Sequence, residues 1–359
     1  MAPASPGVAG HGVLWLALGE DGSRMASPVS AALGQNCKID PMHTKSPTSM
    51  DPGHPRPDIS VVIPSWNTQG LTRDCLHSLL HQDHGCRLEV VVVDNGSHDG
   101  SADMIEREFP EVVLIRNERN EYFSKACNQG AAVATGRYVC YLNSDTIVTP
   151  EALRRMMAFL EQHPGHGAVA PRLDNPDGSV QPICRRFPRL IEVLIDQFGF
   201  EQYEFARRYR DHAAMKDFDH LSSADVEQPP GACLLMRRTD VDEIGGFDES
   251  MPLFYSDVDL CLRIWRSGRP IRFLAEAHIF HVGSASVVRH PLWRAEFMRN
   301  QVRYFRKHGG LVTALAAKGI ILGSGLLVAL RTLVGPRPLR EKRELIGQLG
   351  RSMQIALGG

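Results

Sequence analysis

Residues 137–149 read RYVCYLNSDTIVT, and the fold turns on them. Tyr138 to Leu142 is a short apolar run without alternation, the pattern of a buried strand. It stops at the polar triplet Asn143-Ser144-Asp145. Apolar character returns at Ile147-Val148, and Pro150-Glu151 opens a segment of helical pattern. A carboxylate at the end of a buried strand lies where open α/β sheets bind ligands. Hard divalent cations take oxygen ligands, so Asp145 in that position can hold one against a diphosphate. The same triplet serves equally as a strand-to-helix turn in which Asp145 caps a backbone amide.

The segments upstream repeat the pattern. ISVVIPSW (59–66) is a β-branched run ending near Pro64, and LTRDCLHSLLHQ (71–82) carries apolar residues at helical spacing. LEVVVVDNGS (88–97) is a second buried strand that ends in Asp94. A helix through Phe109, the strand VVLIRN (112–117) and an Ala- and Asn-rich helix from Tyr122 to Thr135 lead back to the opening stretch. Strands alternating with helices predict a parallel α/β sheet with right-handed crossovers. Two of its strands then end in Asp, at 94 and 145.

Downstream, Glu151 to His163 predicts an amphipathic helix with Leu153, Met156, Met157 and Leu160 on one face. AVAPRLDNPDGSVQPICRRFP (168–188) predicts a strand, a turn at Asn175 to Gly178 and a second strand. Arg185-Arg186 reads as a solvated pair before a phosphate contact. Residues 189–224 give no clear pattern. PPGACLLMRR (229–238) is a turn and an apolar strand, and Gly245-Gly246 ends a short helix. In FYSDVDLCLR (254–263) two acids stand in the first turn of a helix, where the dipole favours them. That is a sufficient reason for them. Equally, one can take a proton from an attacking hydroxyl.

Bulk properties bound the answer. The chain has 359 residues, 43 % hydrophobic and 23 % charged, ordinary for one or two globular domains. Eight Cys without a CxxC pair argue against a disulfide framework or a zinc site. The formal charge of −1 conceals an asymmetry: from Val287 onward there are 13 Lys/Arg against 3 Asp/Glu, a net of +10 on an acidic body of −11. A basic tail suggests an anionic partner. PLWRAEFMRNQVRYFRKHGG (291–310) is aromatic and basic, and residues 311–335 are apolar except for Lys318, Thr, Ser and Arg331. The uninterrupted run between Lys318 and Arg331 is 12 residues, short of the ~20 that span a bilayer. An interfacial helix fits, with Arg331, Arg337, Arg340, Lys342 and Arg343 near anionic headgroups; a buried core helix is the alternative. A membrane surface is the expected partner, and nucleic acid is not. Residues 1–57 hold eight Pro and no periodicity, and read as a disordered extension. Their apolar patch, Val13 to Leu18, is too short to span and lacks a basic flank, so no secretory leader is expected.

Four segments in order, SVVIPSWN (60–67), VVVDNGSHDGS (91–101), FSKACNQGAAVATGRYVCYLNSDT (123–146) and GGFDESMPLFYSDVDLCLRIWRSG (245–268), resemble glycosyltransferase family 2, the inverting GT-A-type nucleotide-sugar enzymes. The nearest likeness is to the rhamnosyltransferase-like branch. The resemblance covers about residues 58–286 and implies a Rossmann-like, mostly parallel GT-A sheet flanked by helices, followed by the helical basic and apolar region 287–359. It implies that Pro64 and Asn67 lie beside the base and ribose, and that Asp94 accepts from the imide N–H of uracil or thymine. Asn95 and Asn128 join them in the nucleotide-sugar site. Asn143-Ser144-Asp145 matches the family's DxD position, with Asp145 as ligand of Mg²⁺ or Mn²⁺ and Asn143 as a sugar or ribose contact. Asp257 matches the first Asp of the family's Glu-Asp-x-Asp motif, the general base; Ser256 replaces the Glu. Asp259 is expected to pair with Arg263, four residues on. His281 stands where a family histidine completes the metal site, although a satisfied loop histidine reads as well. Tyr122 departs from the pattern, occupying a place where Gly is frequent.

The function so implied is transfer of a sugar from a dTDP- or UDP-sugar to a hydroxyl of a lipid-linked or cell-surface glycan, on the cytoplasmic face of the cell membrane. Three rivals are weaker. A nucleotidyltransferase wants a basic Gly-rich loop after the first strand, and PSWNTQG has none. A processive synthase wants several spanning helices and a Gln-x-x-Arg-Trp motif. A non-catalytic glycan- or nucleotide-binding protein that kept the fold has no need of the acids at 94, 145 and 257, yet all three are present.

Overall fold

The computed structural model describes residues 56–229, 231–282, 293–336 and 338–358. Nearly all of the extension read at 1–57, the domain boundary at 286/287 and Arg337 lie outside the described residues. The chain builds β1 (Ile59–Ser65), α1 (Gln69–Leu80), β2 (Leu88–Asp94), α2 (Ser101–Glu108), β3 (Val113–Arg116), α3 (Tyr122–Val133) and β4 (Tyr138–Leu142). These four strands are parallel, in the order β3-β2-β1-β4. Val90 to Val93 are all buried. Each such side chain stabilises the fold by about 1.5–3 kcal/mol, more than the ~1 kcal/mol that spans β-propensity. Burial on both faces therefore decides the strand. Helix α3 lies close on β1: a Cβ at Gly130 would come within 2.3 Å of Val62 Cγ1. Packing outweighs the ~1 kcal/mol that glycine costs inside a helix.

The chain continues through β5 (Thr146–Val148), α4 (Ala152–Gln162), β6 (Ala168–Asp174), α5 (Leu190–Phe198), a 3-10 turn at Phe200–Gln202, α6 (Glu204–Ala213), β7 (Ala224–Asp225), β8 (Cys233–Arg237), α7 (Arg238–Ile244), α8 (Ser256–Arg266) and β9 (Ile271–His281). Here the sheet becomes mixed. β8 runs antiparallel between β4 and β6, β6 pairs parallel with β9, and β5 and β7 pair antiparallel with β9. Antiparallel pairs need no crossover helix, so β8 can enter the middle of the sheet from a long excursion. The turn predicted at Asn175 to Gly178 forms, with Gly178 N–H donating to Asn175 O at 2.9 Å. Its second strand does not extend past one bridge, Asp174 to Val180. Pro182 follows at once and has no N–H to offer a ladder.

Two helices complete the chain, α9 (Trp293–Val334) and α10 (Leu339–Leu357). α9 bends at Gly310, whose φ of 81° only glycine adopts at ease. Before the bend, Met298, Val302, Tyr304 and Phe305 share a core cluster with Met251, Tyr255 and Val258 around the start of α8. Beyond it, Ala314, Ala317 and Ile321 face inward, while Leu311, Leu315, Leu322, Leu326, Leu330 and Leu333 are exposed.

Candidate active site

The C-terminal ends of β1, β2 and β4 lie on one edge of the sheet, as parallel pairing requires. In register, Ser65 ends β1 beside Asp94, the last residue of β2. Asp94 is buried. Its Oδ2 accepts the Ser97 N–H at 3.0 Å, and its Oδ1 is buried without a hydrogen-bond partner. An unmatched buried carboxylate oxygen costs on the order of 1–3 kcal/mol or more, so the fold leaves a donor's place open. Around it, Asn67 N–H donates to Ser97 Oγ at 2.9 Å and Asn67 Oδ1 accepts the His98 N–H at 2.8 Å. The loops after β1 and β2 thus hold each other. Pro64 and Trp66 flank this position, each half-buried.

The other asparagines divide. Asn95 is buried; its Nδ2 donates to Tyr122 O at 3.1 Å and its Oδ1 accepts from Asn117 at 2.9 Å. Asn128 Oδ1 accepts the Phe247 N–H and its Nδ2 donates to Phe247 O, both at 2.9 Å. Both amides are taken up by backbone and neighbours. Asn95 ties the turn after β2 to the first residue of α3, and Asn128 fastens α3 to the loop that leads into α8. Asn143 differs: among the described residues its side chain makes no hydrogen bond, while its backbone N–H donates to Ala232 O at 2.9 Å. Ser144 is buried in a hydroxyl cluster, 3.1 Å from Thr68 Oγ1.

Asp145 is 9 % exposed. Its backbone O accepts the Val282 N–H at 3.0 Å, which ties the triplet to the end of β9. Its Oδ1 lies 3.5 Å from His281 Nε2. The other ring nitrogen, Nδ1, lies 3.0 Å from Gln181 Oε1. His278 lies an odd number of residues from His281 on the same strand, so the two point to opposite faces, and His278 instead meets Asp174 at 3.1 Å. Among the described residues no group of three His, Cys, Asp or Glu could hold a metal ion. Asp145 and His281 can offer two ligands, one oxygen and one nitrogen. A cation shared with a diphosphate needs few protein ligands, and this donor pair fits one.

Asp257 stands in the first turn of α8. Its Oδ1 accepts the Val258 N–H at 2.9 Å. Its Oδ2 lies 2.7 Å from where a Cβ on Gly231 would be, so the missing side chain of Gly231 is the carboxylate's berth. Ala232, the next residue, receives the Asn143 N–H; the acid of α8 and the triplet after β4 therefore meet across residues 231–232. Burial pushes the Asp257 carboxyl above its ordinary value, against the pull of the Val258 N–H. Asp259 is fully buried and pairs with Arg263 at 2.8 Å, as the spacing predicts. It also meets Lys307 and His308 of α9, each at 2.7 Å, and so locks the first limb of α9 onto the helix that carries Asp257.

Three of the six non-glycine residues with positive φ among the described residues stand here. Asn67, Tyr122 and Tyr255 have φ of 53°, 64° and 64°, a region costing about 1–3 kcal/mol for such residues and found disproportionately at functional sites. The left-handed φ of Tyr122 also gives a physical reason for glycine at that place in similar chains. Sequence reasoning missed Gln181, Gly231 and Trp66. For Trp66 a signal existed, an aromatic directly after the first strand. Gln181 and Gly231 act only through partners distant in the chain.

A sheet with acids at the ends of its parallel strands and a third acid on a helix facing them defines a GT-A-type glycosyltransferase fold. A mannosyltransferase of Pyrobaculum calidifontis, solved with GDP-Man and Mn²⁺, superposes with a TM-score of 0.51 at 18 % identity over 87 % of either chain. Residues 60–220 match the family model Glycosyl transferase family 2, and the chain carries a domain of that family. It is 29 % identical over 260 residues to an uncharacterized protein, y4gI, of Sinorhizobium fredii, covering 70 % of this chain and 27 % of that protein. It is 27 % identical over 219 residues to an N-acetylglucosaminyl-diphospho-decaprenol L-rhamnosyltransferase of Mycobacterium tuberculosis, covering 57 % of this chain and 69 % of the relative. The chain thus spans well under a third of the length of the first of these relatives.

Proposed function

We propose that this chain is an inverting glycosyltransferase that moves a sugar from a nucleoside-diphosphate donor to a hydroxyl of a lipid-linked or cell-surface glycan. The observation that carries the reading is the lodging of a half-buried Asp257, its carboxyl raised by desolvation, beside Gly231, whose neighbour Ala232 accepts the Asn143 N–H of the Asn143-Ser144-Asp145 triplet. Asp94 Oδ1, buried and unmatched, accepts the imide N–H of a uracil or thymine. Trp66 offers its ring to the base, a contact worth about 1–3 kcal/mol in stacked systems. Asn143 meets sugar or ribose hydroxyls with an amide that makes no hydrogen bond among the described residues.

Asp145 and His281 would hold Mg²⁺ or Mn²⁺, which when bound neutralises charge on the departing diphosphate. Asp257 Oδ2 takes the proton of the acceptor hydroxyl. The acceptor oxygen forms its bond to the anomeric carbon as the bond from that carbon to the diphosphate oxygen breaks. The electron pair leaves with the diphosphate, and attack from the opposite face inverts the configuration. The relative from Mycobacterium tuberculosis is named for a diphospho-decaprenol acceptor, which supports a lipid-linked one here.

Thermal shift tests the donor site, because a ligand that binds the native state raises the midpoint by mass action. UDP or dTDP is expected to stabilise the full chain, and more so with Mn²⁺. No shift with any nucleoside diphosphate sinks the reading and favours a non-catalytic protein of the same fold.

The exposed leucines of α9 support peripheral attachment to a membrane surface. An 18-residue window of α9 has a mean hydropathy of 2.0, yet only 28 % of it is buried. Arg331, Lys342 and Arg343 lie beside it along the chain, suited to anionic headgroups. Because Ala314, Ala317 and Ile321 are core, deleting the tail would unfold more than it detaches. Leu322→Glu with Leu326→Glu is the cleaner change. It is expected to abolish sedimentation with phosphatidylglycerol-containing vesicles while leaving the nucleotide-induced thermal shift in place. Undiminished vesicle binding would remove this face from the reading.

A further inference from the structure

His281 has a partner on each side of its ring, and the second one decides what the first can be. Gln181 Nε2 donates to His281 O at 2.8 Å and to Asn175 Oδ1 at 2.8 Å. With the amide nitrogen committed to two acceptors, the Gln181 amide cannot be turned over without losing both bonds. Its Oε1 is therefore the atom that faces His281 Nδ1, at 3.0 Å. An amide oxygen only accepts, so Nδ1 carries the proton. In the neutral ring Nε2 is then left as a lone pair, and it is Nε2 that lies 3.5 Å from Asp145 Oδ1. Nε2 is thus the ring nitrogen that the Gln181 contact leaves free to face Asp145.

We propose that Gln181 is a positioning residue for the metal site, setting the ring orientation and tautomer of His281 that present Nε2 toward Asp145. The inference rests on the glycosyltransferase reading and extends it to a residue that touches neither donor nor acceptor. The local fold explains how a surface hairpin reaches the site. The turn at Asn175 to Gly178 returns the chain so that Gln181 N–H donates to Leu173 O at 2.8 Å. Leu173 and Asp174 pair with Ile279 and Phe280 of β9. Gln181 is thus delivered to the end of β9 by backbone pairing, and its side chain makes three hydrogen bonds, two to His281 and one to Asn175. Residues that hold a metal-ligating histidine by its far nitrogen typically govern affinity by 10–100-fold.

The test is Mn²⁺ binding, read by electron paramagnetic resonance of the free ion in the presence of saturating UDP or dTDP, on the full chain. Gln181→Leu is expected to weaken Mn²⁺ binding by about 10–100-fold. Gln181→Glu keeps an acceptor for Nδ1–H while giving up the two bonds that Nε2 donates, and is expected to retain measurable Mn²⁺ binding, tighter than in Gln181→Leu. In a His281→Ala background Gln181→Leu should have no further effect on Mn²⁺, a coupling that a merely structural hairpin residue would not show. Unchanged Mn²⁺ affinity in Gln181→Leu, or a loss that persists equally in the His281→Ala background, overturns the proposal. Should the leucine variant fold poorly by circular dichroism, the glutamate variant decides: loss of Mn²⁺ binding there, in a folded protein, also overturns it. If the unmodified chain binds no nucleoside diphosphate, the glycosyltransferase reading fails and the proposal with it. Nucleotide and Mn²⁺ binding that ignores Gln181 overturns the proposal alone.

Discussion

Asp257→Asn is expected to lower kcat by about 10²–10⁴-fold, the usual worth of a positioned general base, with Mn²⁺-dependent nucleotide binding intact. Asn is nearly isosteric, so the berth against Gly231 and the bond from Val258 N–H are both kept. Only the proton acceptor is lost. The pH dependence follows from the direction of the shift. Burial raises the folded carboxyl above its ordinary value of 3.8, so the acidic limb of kcat/KM in the unmodified chain should fall at a pH above that value. Stability moves the other way. Between the unfolded and folded values the native state binds the proton and the unfolded state does not, so stability falls as pH rises through that window. At neutral pH the ionised Asp257 is therefore a cost, and Asp257→Asn should melt no lower than the unmodified chain. A variant inactive because it is unfolded would melt lower; retained turnover in a folded variant would falsify the assignment. Gly231→Ala is a useful companion, because its added methyl would stand 2.7 Å from Asp257 Oδ2 and must displace the base without changing its chemistry.

The parallel half of the sheet was legible because strands buried on both faces read as unbroken apolar runs, Val90 to Val93 above all. Asp94 and Asp145 were legible for the same reason: a polar residue that ends such a run falls at the strand's C-terminal edge. The antiparallel insertion of β8 was not, since a strand's neighbours depend on pairing that no local pattern encodes. Asn95, Asn128 and Ser144 illustrate the opposite limit. Their motif positions fit a binding site, but their side chains are used to bind Tyr122, Phe247 and Thr68. They hold the loops that carry Asp94 and Asp257. Gln181 and Gly231 escaped because each matters only through contact with a residue far along the chain. The tail divides likewise: its aromatic and basic first limb looked like a separate region, yet Gln301 Nε2 donates to Tyr255 OH at 2.6 Å, at the start of α8.

Asp145→Ala is expected to remove the dependence of nucleotide binding on Mn²⁺, with a loss of Mn²⁺ affinity of about 100-fold or more. The magnitude follows because residues that merely orient a ligand are already worth 10–100-fold, and loss of the ligand itself should reach at least the upper end of that range. The change is clean for a structural reason. The fold uses the backbone of Asp145, whose O accepts the Val282 N–H, whereas among the described residues the carboxylate meets His281 alone, at 3.5 Å. A group so buried and so little bonded is a poor candidate for a structural carboxylate, because buried polar atoms without partners cost stability. Removing it should therefore leave the midpoint without ligand unchanged or slightly raised. Metal-free nucleotide binding should persist, since the proposed base contacts, Asp94 and Trp66, stand at the ends of β2 and β1 rather than in the triplet. Asp145→Asn keeps an oxygen but not the charge and should fall between the two. The discriminating measurement is the increment in midpoint that Mn²⁺ adds to UDP or dTDP, compared across the unmodified chain, Asp145→Asn and Asp145→Ala. An increment that survives in the alanine variant takes Asp145 out of the metal site, and the close approach of His281 would then be an ordinary contact at the end of β9.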